Sequence, residues 1–126
     1  MSRSNAVAAF VLLSSLGCSR RSEPAAEPAG PGTPLPPEIA RTIEDSCLSC
    51  HGDPPTSSAP QSLASVEAWR APSLSDPAKT NGEMALERMK DGLRPMPPMG
   101  AVGATELDAI EAWVAAGMPD GKQALP

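Results

Sequence analysis

Cys47-Leu48-Ser49-Cys50-His51 is the stretch that most limits what this chain can fold into. On a helix, residues three and four apart share a face, so the spacing sends both thiols and the imidazole in one direction. Three chemistries use a Cys-x-x-Cys pair. Half a zinc site wants a second Cys or His pair, whereas His51 is the only histidine and Cys18 the only other cysteine. A thioredoxin-like dithiol wants a strand leading into it within an α/β fold, and the chain offers no convincing strand. A histidine directly after the second cysteine is the attachment pattern of a c-type haem. There the thiols add to the two vinyl groups of one porphyrin edge and the imidazole reaches the iron. The expectation is one covalently attached haem c, bound by Cys47 and Cys50, with His51 on the iron.

Composition agrees with a core that needs such a group. The 126 residues include 16 Pro, two Trp, one Phe and no Tyr. Small domains already bury a low fraction of their surface, and a porphyrin would supply the missing apolar mass. Residues 36–126 hold 7 Lys and Arg against 13 Asp and Glu. That acidic balance argues against a nucleic-acid partner and allows a basic protein partner.

Residues 1–17 read as an export signal, with Arg3 in a short n-region, an apolar run from Ala6 to Leu13 and small residues before Cys18. The run is too short to span a bilayer as a helix. Ser15-Leu16-Gly17-Cys18 resembles a bacterial lipoprotein signal, which implies that Cys18 is lipidated and becomes the new N-terminus. Ser15 and Gly17 also suit ordinary small-x-small cleavage, which would release a soluble product. An odd cysteine beside a cleavage site otherwise has no partner, and this favours the anchor. Residues 18–37 are Ser, Arg, Pro, Ala, Glu and Gly with little else apolar, a composition that reads as a disordered, semi-extended tether. The membrane is then met only through Cys18, and the compartment is periplasmic or extracytoplasmic. In bacteria of the kind this chain resembles, c-type attachment also occurs outside the cytoplasm.

The folded domain is expected over residues 38–119, with 120–126 as a tail. Pro36-Pro37 and Glu38 open a first helix, and Ile39, Ile43 and Cys47 form an apolar stripe running into the haem motif. Gly52 to Gln61 is a proline-interrupted loop in which a carbonyl is expected to hold the second nitrogen of His51. Ser62 to Arg70 reads as a short helix with Leu63 and Val66 inward, and Trp69 as core packing or a haem-edge contact. Arg70 and Arg94 read as solvated surface ahead of propionate partners. A further helix spans about Gly82 to Asp91, with Leu86, Met89 and Leu93 on one stripe and Gly92 as the stop. Met84 and Met89 read as core filling. The last helix is expected to open at Thr105 with Asp108 in a capping-box variant. Leu107, Ile110, Trp113 and Val114 form its apolar face, Gly117 ends it, and the first helix is its partner.

The sixth iron position decides between electron transfer and small-ligand chemistry. Arg94-Pro95-Met96-Pro97-Pro98-Met99-Gly100 presents thioethers on a segment stiffened by three prolines. With one histidine, a bis-histidine haem is excluded within this chain. Cys47, Cys50, His51, Met96-Pro97-Pro98 and the terminal helix with Trp113 together resemble the small monohaem cytochromes c of the class with a C-terminal Met ligand. The resemblance covers about residues 38–119. It implies an all-α, cytochrome c-like fold of three to four short helices wrapped around one haem. It also implies Met96 as the second iron ligand, with Met99 as the alternative.

No acid–base or nucleophilic constellation stands out, so the chain reads as an electron carrier rather than an enzyme, passing single electrons between redox partner proteins. A haem-based gas or peroxide sensor, or a peroxidase-like domain with a labile sixth ligand, is the rival. A zinc- or disulfide-bearing adhesion lipoprotein is the third reading.

Overall fold

The computed structural model describes residues 32–122. The stretch expected to be an export signal, Cys18, most of the expected tether and residues 123–126 of the expected tail lie outside the described residues. Among the described residues the structure is all-α, with helices and no strand beyond a single bridge between Pro72 and Thr80.

Helix α1 (Pro37–Ser46) begins with proline in its first turn and buries Ile39 and Ile43, as the stripe predicts. It does not run on through the Cys-x-x-Cys-His motif as one helix. Cys47 leaves helical geometry at φ −120°, and a one-turn helix α2 (Leu48–His51) follows. The turn keeps the motif's common direction, because the N–H groups of Cys50 and His51 both donate to the Cys47 carbonyl, at 3.2 and 2.8 Å.

Helix α3 (Val66–Arg70) is shorter than expected. Ser65 caps it by accepting from the Ala68 N–H at 3.2 Å, so Leu63 lies before the helix yet is still buried. Helix α4 (Asn81–Lys90) carries the capping box that was expected on the last helix, with Thr80 and Glu83 each satisfying the other's backbone N–H. Two expectations fail at its end. Asp91, not Gly92, ends the helix. The chain then turns outward, so Leu93 is 92 % exposed and not on the inward stripe.

Helix α5 (Ala104–Ala115) starts at a Gly103 cap with no side-chain bond, two residues ahead of Thr105. Thr105 therefore falls inside the first turn, where its hydroxyl is not a cap, and the Thr105/Asp108 box is not formed. The helix ends in a Schellman motif: Met118 N–H donates to the Trp113 carbonyl and Gly117 N–H to that of Val114, both at 2.9 Å. Gly117 takes φ +82°, the left-handed conformation that glycine adopts without penalty. Met118 is thereby returned to the core.

The core joins Ile39, Ile43 and Cys47 to Ile110, Trp113 and Val114, and α1 packs on α5 as expected. Trp69 and Trp113 meet edge to face at 5.4 Å and 68°. Their indole N–H groups donate to the carbonyls of Leu63 and Pro119, both at 2.8 Å. Trp69 is thus core packing. Arg70 is exposed and its Nε donates to the Met118 carbonyl at 3.1 Å.

The packed unit begins before the composition shift at residue 38. Glu67 accepts from both the N–H and the hydroxyl of Thr33, and the Thr33 carbonyl accepts from the Val66 N–H at 3.0 Å. Pro36 is buried, and Leu35 packs partly against the core.

Close approach of α4 to the core depends on Gly82. A Cβ there would stand 2.6 Å from Met118 Sδ and 3.2 Å from the Trp69 ring. Gly82→Ala is expected to lower stability by about 1–3 kcal/mol through overpacking. Gly92→Ala, which meets nothing within 4 Å, should change stability by less than about 0.5 kcal/mol. Denaturant unfolding of the two variants checks this, and equal losses would remove close packing as the reason.

Candidate functional site

The motif residues form one wall of a cleft of about 830 Å³. Cofactor pockets commonly measure about 300–1,000 Å³. Cys47, Cys50 and His51 line one side, with the loop of Ser57–Gln61 beside them, and Met84, Arg88 and Met89 of α4 stand opposite. Residues 96–101 close the rim.

His51 is fixed by the loop that follows it. Its Nδ1 lies 2.9 Å from the Gln61 carbonyl. A carbonyl only accepts, so the proton must be on Nδ1, which leaves the lone pair on Nε2. The sequence foretold a carbonyl from Gly52 to Gln61, and Gln61 is the one. The loop is tied so that it reaches. Thr56 N–H donates to the Cys50 carbonyl at 2.8 Å and its hydroxyl to that of Ser49 at 2.9 Å. Ser57 and Ser58 then take φ +52° and +61°, which turn the chain back. Leu63 N–H closes the loop on the His51 carbonyl at 2.7 Å. Such left-handed residues cost roughly 1–2 kcal/mol each outside glycine, and here the surrounding bonds hold them.

Cys47 and Cys50 are free thiols in different surroundings: Cys47 is buried and Cys50 half-buried. Burial pushes the Cys47 thiol up to about 11. A redox dithiol wants the opposite, a lowered thiol in an electropositive setting. Together with the missing strand this disfavours the thioredoxin-like reading. Zinc fares no better, because among the described residues no three His, Cys, Asp or Glu side chains group as a metal-ligand set. Two thiols, an imidazole and four thioethers, those of Met84, Met89, Met96 and Met99, line one cleft, a donor set that nevertheless fits a covalently attached, iron-ligated porphyrin, whose attachment points and iron are separate.

Of the two thioethers on the Pro-rich segment, Met96 is 39 % exposed and Met99 95 %. Met96 is also anchored, its N–H donating to the Arg88 carbonyl at 2.9 Å. The segment begins at Asp91, whose Oδ1 accepts from the N–H groups of Leu93 and Arg94 at 2.8 and 3.1 Å. Its Oδ2 meets Arg88 at 3.3 Å. Arg94, in contrast, is exposed and does not line the cleft.

Sequence reasoning missed the α4 wall. Met84, Ala85, Arg88 and Met89 recur at i, i+1, i+4 and i+5, one face of a helix. That spacing was available, but Met84 and Met89 were assigned to core filling, and attention to cations went to Arg70 and Arg94. Met89 and Ala85 do pack partly on the core while also lining the cleft.

No protein family, curated protein or solved structure matches the chain. Among the described residues, no helix is long and apolar enough to cross a membrane.

The two cysteines should differ chemically whenever the folded chain carries no prosthetic group. Near pH 8, iodoacetamide is expected to alkylate Cys50 at least about tenfold faster than Cys47, since the thiolate is the reactive form and burial suppresses it. Peptide mass mapping over time reads this out, and equal rates would mean that Cys47 is not held in the core.

Proposed function

We propose that this chain is an exported monohaem c-type cytochrome with a small cytochrome c-like fold, carrying single electrons between extracytoplasmic redox partners. The observation that carries the proposal is the His51–Gln61 hydrogen bond. It commits Nδ1 and leaves Nε2 free on a cleft that also holds two thiols and an anchored thioether.

In this reading Cys47 and Cys50 hold the porphyrin covalently. His51 would hold the iron through Nε2, with Gln61 fixing its tautomer and raising its basicity. Met96 would be the second iron ligand, a choice that raises the potential. Haem c supplies the one-electron chemistry when bound. The chain's own task is to keep that site rigid and partly dry: Met84, Ala85 and Met89 put apolar groups on the wall facing His51, and three prolines limit movement of the Met96 segment. Arg88 is the cation that lines the cleft, and Asp91 engages it. Cys18 would tether the domain to a membrane by lipidation.

Mass analysis after expression with a haem-attachment system is expected to show one covalent haem, and a mass without it refutes every haem reading. The oxidised protein should show the weak sulfur-to-iron charge-transfer band. Ready carbon monoxide binding by the ferrous form at neutral pH would instead support the sensor or peroxidase-like reading. Met96→Ala should abolish the sulfur band and Met99→Ala leave it intact, and the reverse result would transfer the role to Met99.

For the anchor, Cys18→Ser is expected to move the protein from the membrane fraction to the soluble one. Continued membrane association of the variant would exclude a lipid on Cys18.

A further inference from the structure

We propose that Asp91 is a positioning residue for the axial thioether, holding the Met96 segment over the cleft; this rests on the haem reading above. Three contacts meet at its carboxylate. Oδ1 receives the N–H groups of Leu93 and Arg94, the first residues of the segment to turn away from α4 after Gly92. Oδ2 pairs with Arg88, whose own carbonyl receives the Met96 N–H. The segment from 92 to 96 is therefore fastened at both ends to the last turn of α4, once through Asp91 and once through Arg88.

Little else holds it. Leu93 is 92 % exposed and Arg94 is exposed, so neither side chain anchors the segment by burial. Pro95 has no N–H to offer. Backbone hydrogen bonds to a charged acceptor are the strong class of such bonds, and here they replace the apolar packing that the segment lacks. The same N–H groups, Leu93 first and then Arg94, hold the Asp91 carboxyl below its ordinary value, so it is ionised at neutral pH.

The contacts separate cleanly by substitution. Asp91→Ala removes both the N–H acceptor and the ion pair. Asp91→Asn keeps an acceptor oxygen and loses the charge. Arg88→Gln removes the ion pair but keeps the Arg88 carbonyl under Met96.

The experiment uses the full haem-loaded protein in a Met99→Ala background, so that the neighbouring thioether cannot substitute. Asp91→Ala is expected to weaken the sulfur-to-iron band and to speed carbon monoxide binding by the ferrous form about tenfold or more, the scale of losing hydrogen bonds to a charged group. Asp91→Asn should recover most of the band, and Arg88→Gln should stay within about threefold of the parent, as expected for a partly exposed ion pair. Should the alanine variant not fold, Asp91→Glu serves instead. It keeps the charge but moves the carboxylate by a methylene off the two N–H groups, and it is expected to show the same loss in smaller degree. A parent without the sulfur band defeats the haem and Met96 reading itself. A parent with the band, and an Asp91→Ala or Asp91→Glu variant indistinguishable from it, overturns the positioning role alone.

Discussion

Trp69 of α3 and Trp113 of α5 meet edge to face at 5.4 Å, and that contact ties α3 to the last helix at the centre of the core. Such a pair is worth about 0.5–1.5 kcal/mol beyond its burial, which is a large share where the chain has only two Trp, one Phe and no Tyr. Each indole also spends its N–H on a chain reversal. Trp69 holds the Leu63 carbonyl at the end of the His51 loop, and Trp113 holds the Pro119 carbonyl after α5. The same pair sets the approach of α4, because the Trp69 ring leaves room beside Met118 only for a glycine at position 82. A packing contact in the core thus touches both sides of the cleft, through the end of the His51 loop and through the approach of α4.

How much of this was legible depended on whether side chains or backbone did the work. The stripe Ile39, Ile43, Cys47 and the face Ile110, Trp113, Val114 were readable, because apolar spacing along a helix is written in side chains. All six are buried. The caps were half readable. Thr80-x-x-Glu83 fits the capping-box pattern better than Thr105-x-x-Asp108 does, because the box takes Glu or Gln at its last position. The structure agrees, since the cap of α5 is Gly103, two residues before Thr105, which moves Thr105 off the cap. Leu93 was misread because the 3.6-residue period was carried past the residue where the helix stops. Asp91 leaves helical geometry there and directs its carboxylate to the N–H groups of Leu93 and Arg94, two and three residues on, a bond available to a short acidic side chain at a helix end.

The candidate site shows the same division more sharply. Cys47, Cys50, His51 and Met96 were all named from their side chains, and all four line one cleft. The partners that orient two of them are carbonyls, those of Gln61 and Arg88. A carbonyl belongs to every residue, so no residue type marks it. Its location follows from the path of the loop, here set by two left-handed serines and the bonds of Thr56. Prolines showed that the stretch from Gly52 is irregular, but irregular backbone can be tightly determined once its hydrogen bonds are counted.

The helices that carry the two walls of the cleft pack on each other through the core. Helix α1 packs on α2 and α5, and α4 packs on α3 and α5, while among the described residues α2 and α4 do not pack directly on each other. Met96 and His51 consequently belong to different halves of the packing, joined through α5 and the tryptophan pair. A rigid group bound to Cys47, Cys50 and His51 on one side and Met96 on the other would add a direct link between α2 and the Met96 segment, whose helices do not pack on each other among the described residues. In the proposed reading the prosthetic group is therefore also structural, because binding to the folded state alone stabilises that state by mass action and a covalent bond makes the gain permanent. The acidic, aromatic-poor sequence then becomes intelligible: a chain of this size can manage with a thin core of its own when much of its apolar interior is supplied by the group it carries.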